Sequence, residues 1–128
     1  MFELKISSHF AAAHQLKMVA KKCENLHGHN WKIEVCVVGD KLNHAGVLVD
    51  FGIIKKHLRE IVEKLDHRFL NDLEPFNKES HPPSSENIAS HIAYRLQECL
   101  SDSLIRVSRV TAWESDDACA TYILPASP

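Results

Sequence analysis

Nine histidines stand in a chain of 128 residues, and two of them, His27 and His29, flank a single glycine. In an extended segment, residues two apart project to the same face, so both imidazoles can reach one ion. Gly28 between them leaves room on the opposite side. His14 can become a third ligand if a hairpin brings the end of its strand beside the start of the strand carrying His29. Three neutral imidazoles leave a fourth zinc position for water or substrate, the arrangement of a catalytic site. Cys23, four residues before His27, offers an alternative, because with the three histidines it could close a purely structural zinc site. Spacing leaves both readings open.

The remaining chemistry-bearing residues read more simply. Cys36, Cys99 and Cys119 are expected to be buried packing residues, and with no Cys-x-x-Cys pair all four cysteines are expected to be reduced. His9, His44, His57, His81 and His91 have no partner at ligand spacing and are expected on the surface or in loops.

The elements that must position these groups follow from periodicity. Phe2, Leu4, Ile6, Phe10 and Ala12 recur with a period of two, placing a strand over 2–14 with His14 on its apolar parity. Trp31, Ile33, Val35 and Val37 alternate with polar residues over 29–38, a second strand that Gly39-Asp40 ends and that pairs antiparallel with the first. Asp50 can cap a helix whose stripe is Phe51, Ile54, Leu58, Ile61, Val62 and Leu65. Ser84 or Ser85 can cap a second, with Ile88, Ala89, Ile92, Ala93 and Leu96 on one face and an end near Ser101-Asp102. Residues 105–114 and 118–124 read as closing strands joined by Ser115-Asp116-Asp117, with a slip in alternation between Arg109 and Val110 that signals a bulge. The order ββααββ implies an α+β fold, a four-stranded antiparallel sheet with both helices on one face.

Bulk composition narrows the classes of function. Hydrophobic residues make up 45% of the chain and charged residues 25%, as expected of one globular domain over residues 1–128. The formal net charge is -2, with Lys and Arg scattered, so no electrostatic footprint for a nucleic acid is present. No apolar stretch approaches the length of a membrane span, and the first residues lack a basic and then apolar leader. A cytoplasmic, soluble protein is the expectation.

The string Cys23-Glu24-Asn25-Leu26-His27-Gly28-His29 resembles the Cys-x-x-x-His-Gly-His signature of the 6-pyruvoyl and 6-carboxytetrahydropterin synthase family. Phe10-Ala11-Ala12-Ala13-His14, Val49-Asp50-Phe51, Leu65-Asp66-His67 with Leu70-Asn71-Asp72, Ser84-Ser85-Glu86-Asn87 and Trp113-Glu114 resemble further family segments in the same order. The resemblance implies a tunnelling fold, in which sheets join into an oligomeric barrel and two such rings stack, giving a hexamer built as a dimer of trimers with active sites at subunit interfaces. Barrel closure also has a physical motive, since a lone four-stranded sheet exposes its edges.

The resemblance further implies zinc on His14, His27 and His29, and Cys23 as the base that removes a carbon-bound proton from a pterin triphosphate. Lys21, Lys22 and the metal would favour its thiolate. Asp66 and His67 resemble the family's acid-base partners; apart from the resemblance they read as a helix-end pair. Glu114 corresponds to the residue that would anchor the guanidine-like edge of the pterin, and Ser84 and Ser85 would add contacts to it, although capping explains both serines. The short chain looks most like the branch that makes 6-carboxy-5,6,7,8-tetrahydropterin for queuosine from 7,8-dihydroneopterin triphosphate. Glu24, beside Cys23, resembles the carboxylate base of the folate-type branch, so 6-hydroxymethyl dihydropterin formation, alone or as a second activity, is the alternative. 6-Pyruvoyl tetrahydropterin formation and a non-catalytic zinc or pterin-binding module complete the set.

Overall fold

A computed structural model describes residues 1–16 and 26–126. Cys23 and Glu24, together with Lys21 and Lys22, lie outside the described residues. The chain runs β1 (Phe2–His14), β2 (His27–Gly39), α1 (Phe51–Glu63), β3 (Arg68–Phe69), a single 3-10 turn (Leu70–Asp72), α2 (Ser85–Cys99), β4 (Ile105–Ser115) and β5 (Ala118–Ile123). The four long strands are antiparallel neighbours, as the sequence pattern requires, but the sheet has five strands in the order β3-β1-β2-β4-β5. The additional strand, β3, pairs parallel with β1 through Ala12 and Ala13. Two residues are too few to show a period of two, so nothing in the local pattern of Arg68-Phe69 marks it.

Both helices cover one sheet face. Ile6, Phe10 and Ala12 of β1, Trp31, Ile33, Val35 and Val37 of β2, and Val107, Val110 and Ala112 of β4 form one buried cluster with the helix stripes. On α1 the stripe comprises Ile54, Leu58, Ile61 and Val62. Phe51, expected on it, is exposed, because it is the first helical residue and precedes the turn that reaches the sheet. Leu65 is buried just beyond the helix end. On α2 all five expected residues are buried, and the helix stops at Cys99, short of Ser101-Asp102.

Asp50 caps α1 by accepting from the Gly52 N–H at 2.8 Å, and Ser84 caps α2 by accepting from the Asn87 N–H at 3.1 Å. Each such cap is worth about 1 kcal/mol. Gly39 ends β2 for a steric reason: a Cβ there would lie 2.6 Å from Leu48 Cδ1 and 2.7 Å from the Leu104 carbonyl oxygen. No helix among the described residues is long and apolar enough to cross a membrane.

The ladder between β2 and β4 shifts where Cys36 faces Arg109 and Val37 faces Val107, leaving Ser108 as the extra residue beside the expected slip. A second shift lies between Trp113 and Ser115, where β4 meets β5, and leaves Glu114 without a partner in that ladder. The bulge re-aims strand direction at the residue that carries the carboxylate.

Two expectations about single residues are corrected. Cys36 is buried, whereas Cys99 and Cys119 are exposed, and these three described cysteines are free thiols. Cys99 sits at the last position of α2 and Cys119 on the edge strand β5, so neither has a second layer to cover it. His91 is no surface group: it packs edge-on against Phe76 with ring centroids 5.2 Å apart, and burial pushes its pKa down to about 4.

Candidate active site

The register of β1 and β2 builds the site. His14 lies directly across from His27, and Ala12 across from His29, so the three imidazoles meet at one end of the hairpin on the helix-facing side of the sheet. The strand begins at His27, two residues earlier than alternation alone indicates, and this extension puts His27 opposite His14. Small Ala12 opposite His29 leaves volume for the rings. Trp31, fully buried, supports them, with its ring edge-on to His14 at 5.2 Å and to His29 at 5.6 Å between centroids.

From the other direction β4 delivers Glu114. Its Oε1 lies 3.0 Å from His14 Nε2, 2.8 Å from His29 Nε2 and 3.9 Å from His27 Nε2. One ligand atom from each of the four residues falls within 4.8 Å of every other. Four ligands at about 2.0–2.2 Å from one ion in a tetrahedron stand about 3.3–3.6 Å apart, a spacing that the observed distances bracket. Three imidazoles and a carboxylate are also a suitable donor set for zinc.

His14 is locked for this role. Its Nδ1 donates to the Pro83 carbonyl oxygen at 2.8 Å in a buried setting, which leaves Nε2 aimed into the cluster. The Pro83 carbonyl is in turn fixed by the start of α2, where Ser84 caps the helix and Asn87 Nδ2 donates to the Pro82 carbonyl at 2.8 Å. At the end of β1, Asn71 grips the Gln15 peptide on both sides: its Oδ1 accepts from the Gln15 N–H at 2.9 Å and its Nδ2 donates to the Gln15 carbonyl at 2.9 Å. The supporting roles of Pro83 and Asn71 escape sequence reasoning. A backbone carbonyl has no side-chain signature, and Asn71 meets β1 only through the fold.

Asp66 and His67 form a pair outside this cluster. Asp66 Oδ2 lies 3.0 Å from His67 Nδ1, and Asp66 Oδ1 accepts from the Ala11 N–H at 2.9 Å. The Ala11 hydrogen bond, with further help from His67, holds the Asp66 carboxyl below the usual carboxylate range. The His67 N–H donates to the Ala11 carbonyl at 2.6 Å, and His67 adopts φ 58°, a left-handed conformation uncommon outside glycine. Such strain persists where surrounding structure over-determines it, here through the clamp on Ala11. His67 lines a shallow depression together with Ala11, Ala13, Gly28, His29 and Asn30, at the edge where β3 joins β1.

The sequence-derived site residues therefore fall into distinct groups. His14, His27 and His29 converge, and Glu114 joins them directly. Asp66 and His67 pair with one another on the far side of β1. Ser84 uses its hydroxyl as the cap of α2, and Ser85 is the first residue of that helix.

Comparison with known proteins agrees with this architecture. Residues 3–124 match the 6-pyruvoyl tetrahydropterin synthase family. A 6-carboxy-5,6,7,8-tetrahydropterin synthase of Synechocystis is 42% identical over 94 residues, covering 70% of each chain. A dihydroneopterin monophosphate aldolase of Pyrococcus furiosus is 35% identical over 108 residues, covering 84% of this chain and 85% of the relative. The structure of 6-pyruvoyl tetrahydropterin synthase from Caenorhabditis elegans superimposes with a TM-score of 0.83 at 25% identity, over 97% of this chain and 96% of that one. With its hairpin of histidines, its α+β fold and a match that runs almost from end to end, this chain belongs to the 6-pyruvoyl tetrahydropterin synthase family of enzymes.

Proposed function

We propose that the protein is a zinc-dependent lyase that converts 7,8-dihydroneopterin triphosphate and water to 6-carboxy-5,6,7,8-tetrahydropterin, acetaldehyde and triphosphate. The observation that carries the reading is the convergence of His14, His27 and His29 on one point, with His14 Nε2 aimed there by Pro83. The similarity to the Synechocystis synthase favours this product. Zinc held by the three imidazoles would supply Lewis acidity toward the oxygens of the substrate side chain, making the adjacent C–H protons more acidic.

The chain's own residues do the rest. Cys23, four positions before His27, is the base that takes a carbon-bound proton, and Asp66 keeps the His67 imidazole oriented to handle a second one. Glu114 accepts hydrogen bonds from the pterin edge through its carboxylate. Ser84 and Ser85, at the start of α2, add contacts to the pterin. Because the His67 side chain is 82% exposed where β3 edges the sheet, we assign the protein to a homo-oligomer, a hexamer of two stacked trimers, in which a neighbouring subunit completes the site. It works in the cytoplasm, with no membrane or nucleic acid partner.

A second reading is favoured by the Pyrococcus aldolase relative together with Glu24: formation of 6-hydroxymethyl dihydropterin with that carboxylate as base. The test is to load the protein with zinc, supply 7,8-dihydroneopterin triphosphate, and identify products by mass spectrometry for wild type, Cys23→Ala and Glu24→Ala. We expect 6-carboxytetrahydropterin and acetaldehyde, lost in Cys23→Ala while zinc content is kept. Zinc loss in that variant would point to Cys23 as a structural ligand. 6-Hydroxymethyl dihydropterin that disappears with Glu24 would replace the first reading with the second.

A further inference from the structure

Glu114 occupies a position that a pterin anchor alone does not explain. A residue that only holds the ring needs its carboxylate free to face substrate. Here Oε1 points into the histidine cluster, at 3.0 Å from His14 Nε2 and 2.8 Å from His29 Nε2. The hydrogen bond to Pro83 sharpens the point. A carbonyl oxygen only accepts, so the His14 proton is on Nδ1. In the neutral ring Nε2 then carries a lone pair, and it faces a second lone pair on Oε1. Two acceptors at that distance repel unless a positive charge lies between them or on one of them, and a metal ion coordinated by both supplies it.

The strand geometry says the same. Glu114 sits where the β4–β5 ladder shifts between Trp113 and Ser115, so it is not fixed by a paired neighbour on β5. Its side chain is 32% exposed, against 1% for His14, 22% for His29 and 35% for His27. The carboxylate is thus reachable from solvent and attached to a backbone site that a bulge leaves unladdered, which gives it room to move.

We propose that Glu114 is an exchangeable fourth ligand: its carboxylate completes the coordination sphere of the metal in the resting enzyme and moves to the pterin ring when substrate binds. The ring would then open the position that the substrate side chain needs, so that recognition of the pterin and availability of the metal are one event. This deepens the functional reading above and rests on it for the pterin.

The experiment replaces zinc with cobalt(II), whose visible absorption reports coordination, and uses 6-methylpterin, which carries the ring edge but no side-chain oxygens. For wild type we expect a cobalt spectrum that changes when 6-methylpterin is added. Glu114→Ala should have a different resting spectrum that 6-methylpterin leaves unaltered, and chelator competition should show metal affinity reduced by about tenfold or more. Glu114→Gln, which keeps the shape of the side chain, guards against a folding defect and should show the same direction of change. Identical resting spectra and affinities in wild type and both variants would overturn the ligand role and leave a proton as the charge between His14 and Glu114. Binding of 6-methylpterin, followed by its fluorescence, without a cobalt response overturns the exchange alone. Failure of 6-methylpterin to bind the metal-loaded protein overturns the pterin reading and the exchange with it.

Discussion

The histidine cluster and the Asp66–His67 pair both depend on β1, yet they are built in opposite ways. The cluster draws on three strands, backs its rings with buried Trp31, and fixes His14 by a buried hydrogen bond to Pro83. The pair sits between α1 and β3, leaves the His67 side chain 82% exposed, and holds its position through the backbone of Ala11 and, from the Asp66 N–H, the Val62 carbonyl. The pair meets Ala11 through its backbone N–H and carbonyl, which lie in the plane of the sheet, at the edge where β3 joins β1. Metal binding wants fixed ligand distances, and the cluster has them within one chain. A proton relay, the proposed role of the pair, tolerates looser support but must meet its substrate, and the His67 side chain is open to solvent. Under the proposed function, a single subunit carries the metal site and a neighbour assembles the reaction.

The largest effect should come from the better-supported region. His14→Ala removes both a ligand and the Pro83 contact, and metal affinity should fall by more than about a hundredfold, beyond the range typical of losing an outer partner. Metal content after dialysis measures this, and a variant that keeps its metal would dissolve the distinction between the two regions.

His67→Ala should act in the other sense. Turnover should drop by about 10²–10⁴-fold, the usual worth of general acid-base catalysis, while metal content stays at the wild-type level. Full turnover would remove His67 from the mechanism, and parallel loss of metal would mean that the pair and the cluster are one unit.

The smallest effect sharpens the question of the outward face. A Cβ at Gly28 would meet only the Ala12 carbonyl oxygen, at 3.9 Å, an ordinary contact. Gly28→Ala should therefore change the stability of the folded subunit by no more than about 0.5 kcal/mol in denaturant unfolding. If oligomer size falls while the subunit stays folded, a partner packs closely against that face; a large destabilisation of the subunit itself would contradict the geometry.

Much of this architecture is legible without coordinates. Alternation over β1 and β2 identifies the hairpin, and antiparallel pairing then requires the end of the first strand to lie beside the start of the second, which is why His14 could be linked to His27 and His29. The helix stripes of α2 and the caps Asp50 and Ser84 are likewise local, because a short polar side chain before an apolar periodic run satisfies helix N–H groups wherever the helix packs. Three features resisted. β3 is defined by its pairing with Ala12 and Ala13 rather than by a pattern of its own, and the exposure of Cys99 and Cys119 depends on what covers a helix end and a sheet edge. His91 became a half-buried group of lowered pKa because Phe76, fifteen positions earlier, returns to pack on it.

The sequence by itself determined the order of the four long strands and two helices, the hairpin and three candidate imidazole ligands, since these follow from periods of two and of 3.6 and from spacing along the strands. Only the tertiary structure decided that Glu114 enters the cluster, that Pro83 selects the His14 proton, and that Asp66 and His67 clamp the Ala11 backbone. Each of these joins residues that are tens of positions apart. Their meeting depends on sheet order, a bulge and a loop path, which no local pattern encodes.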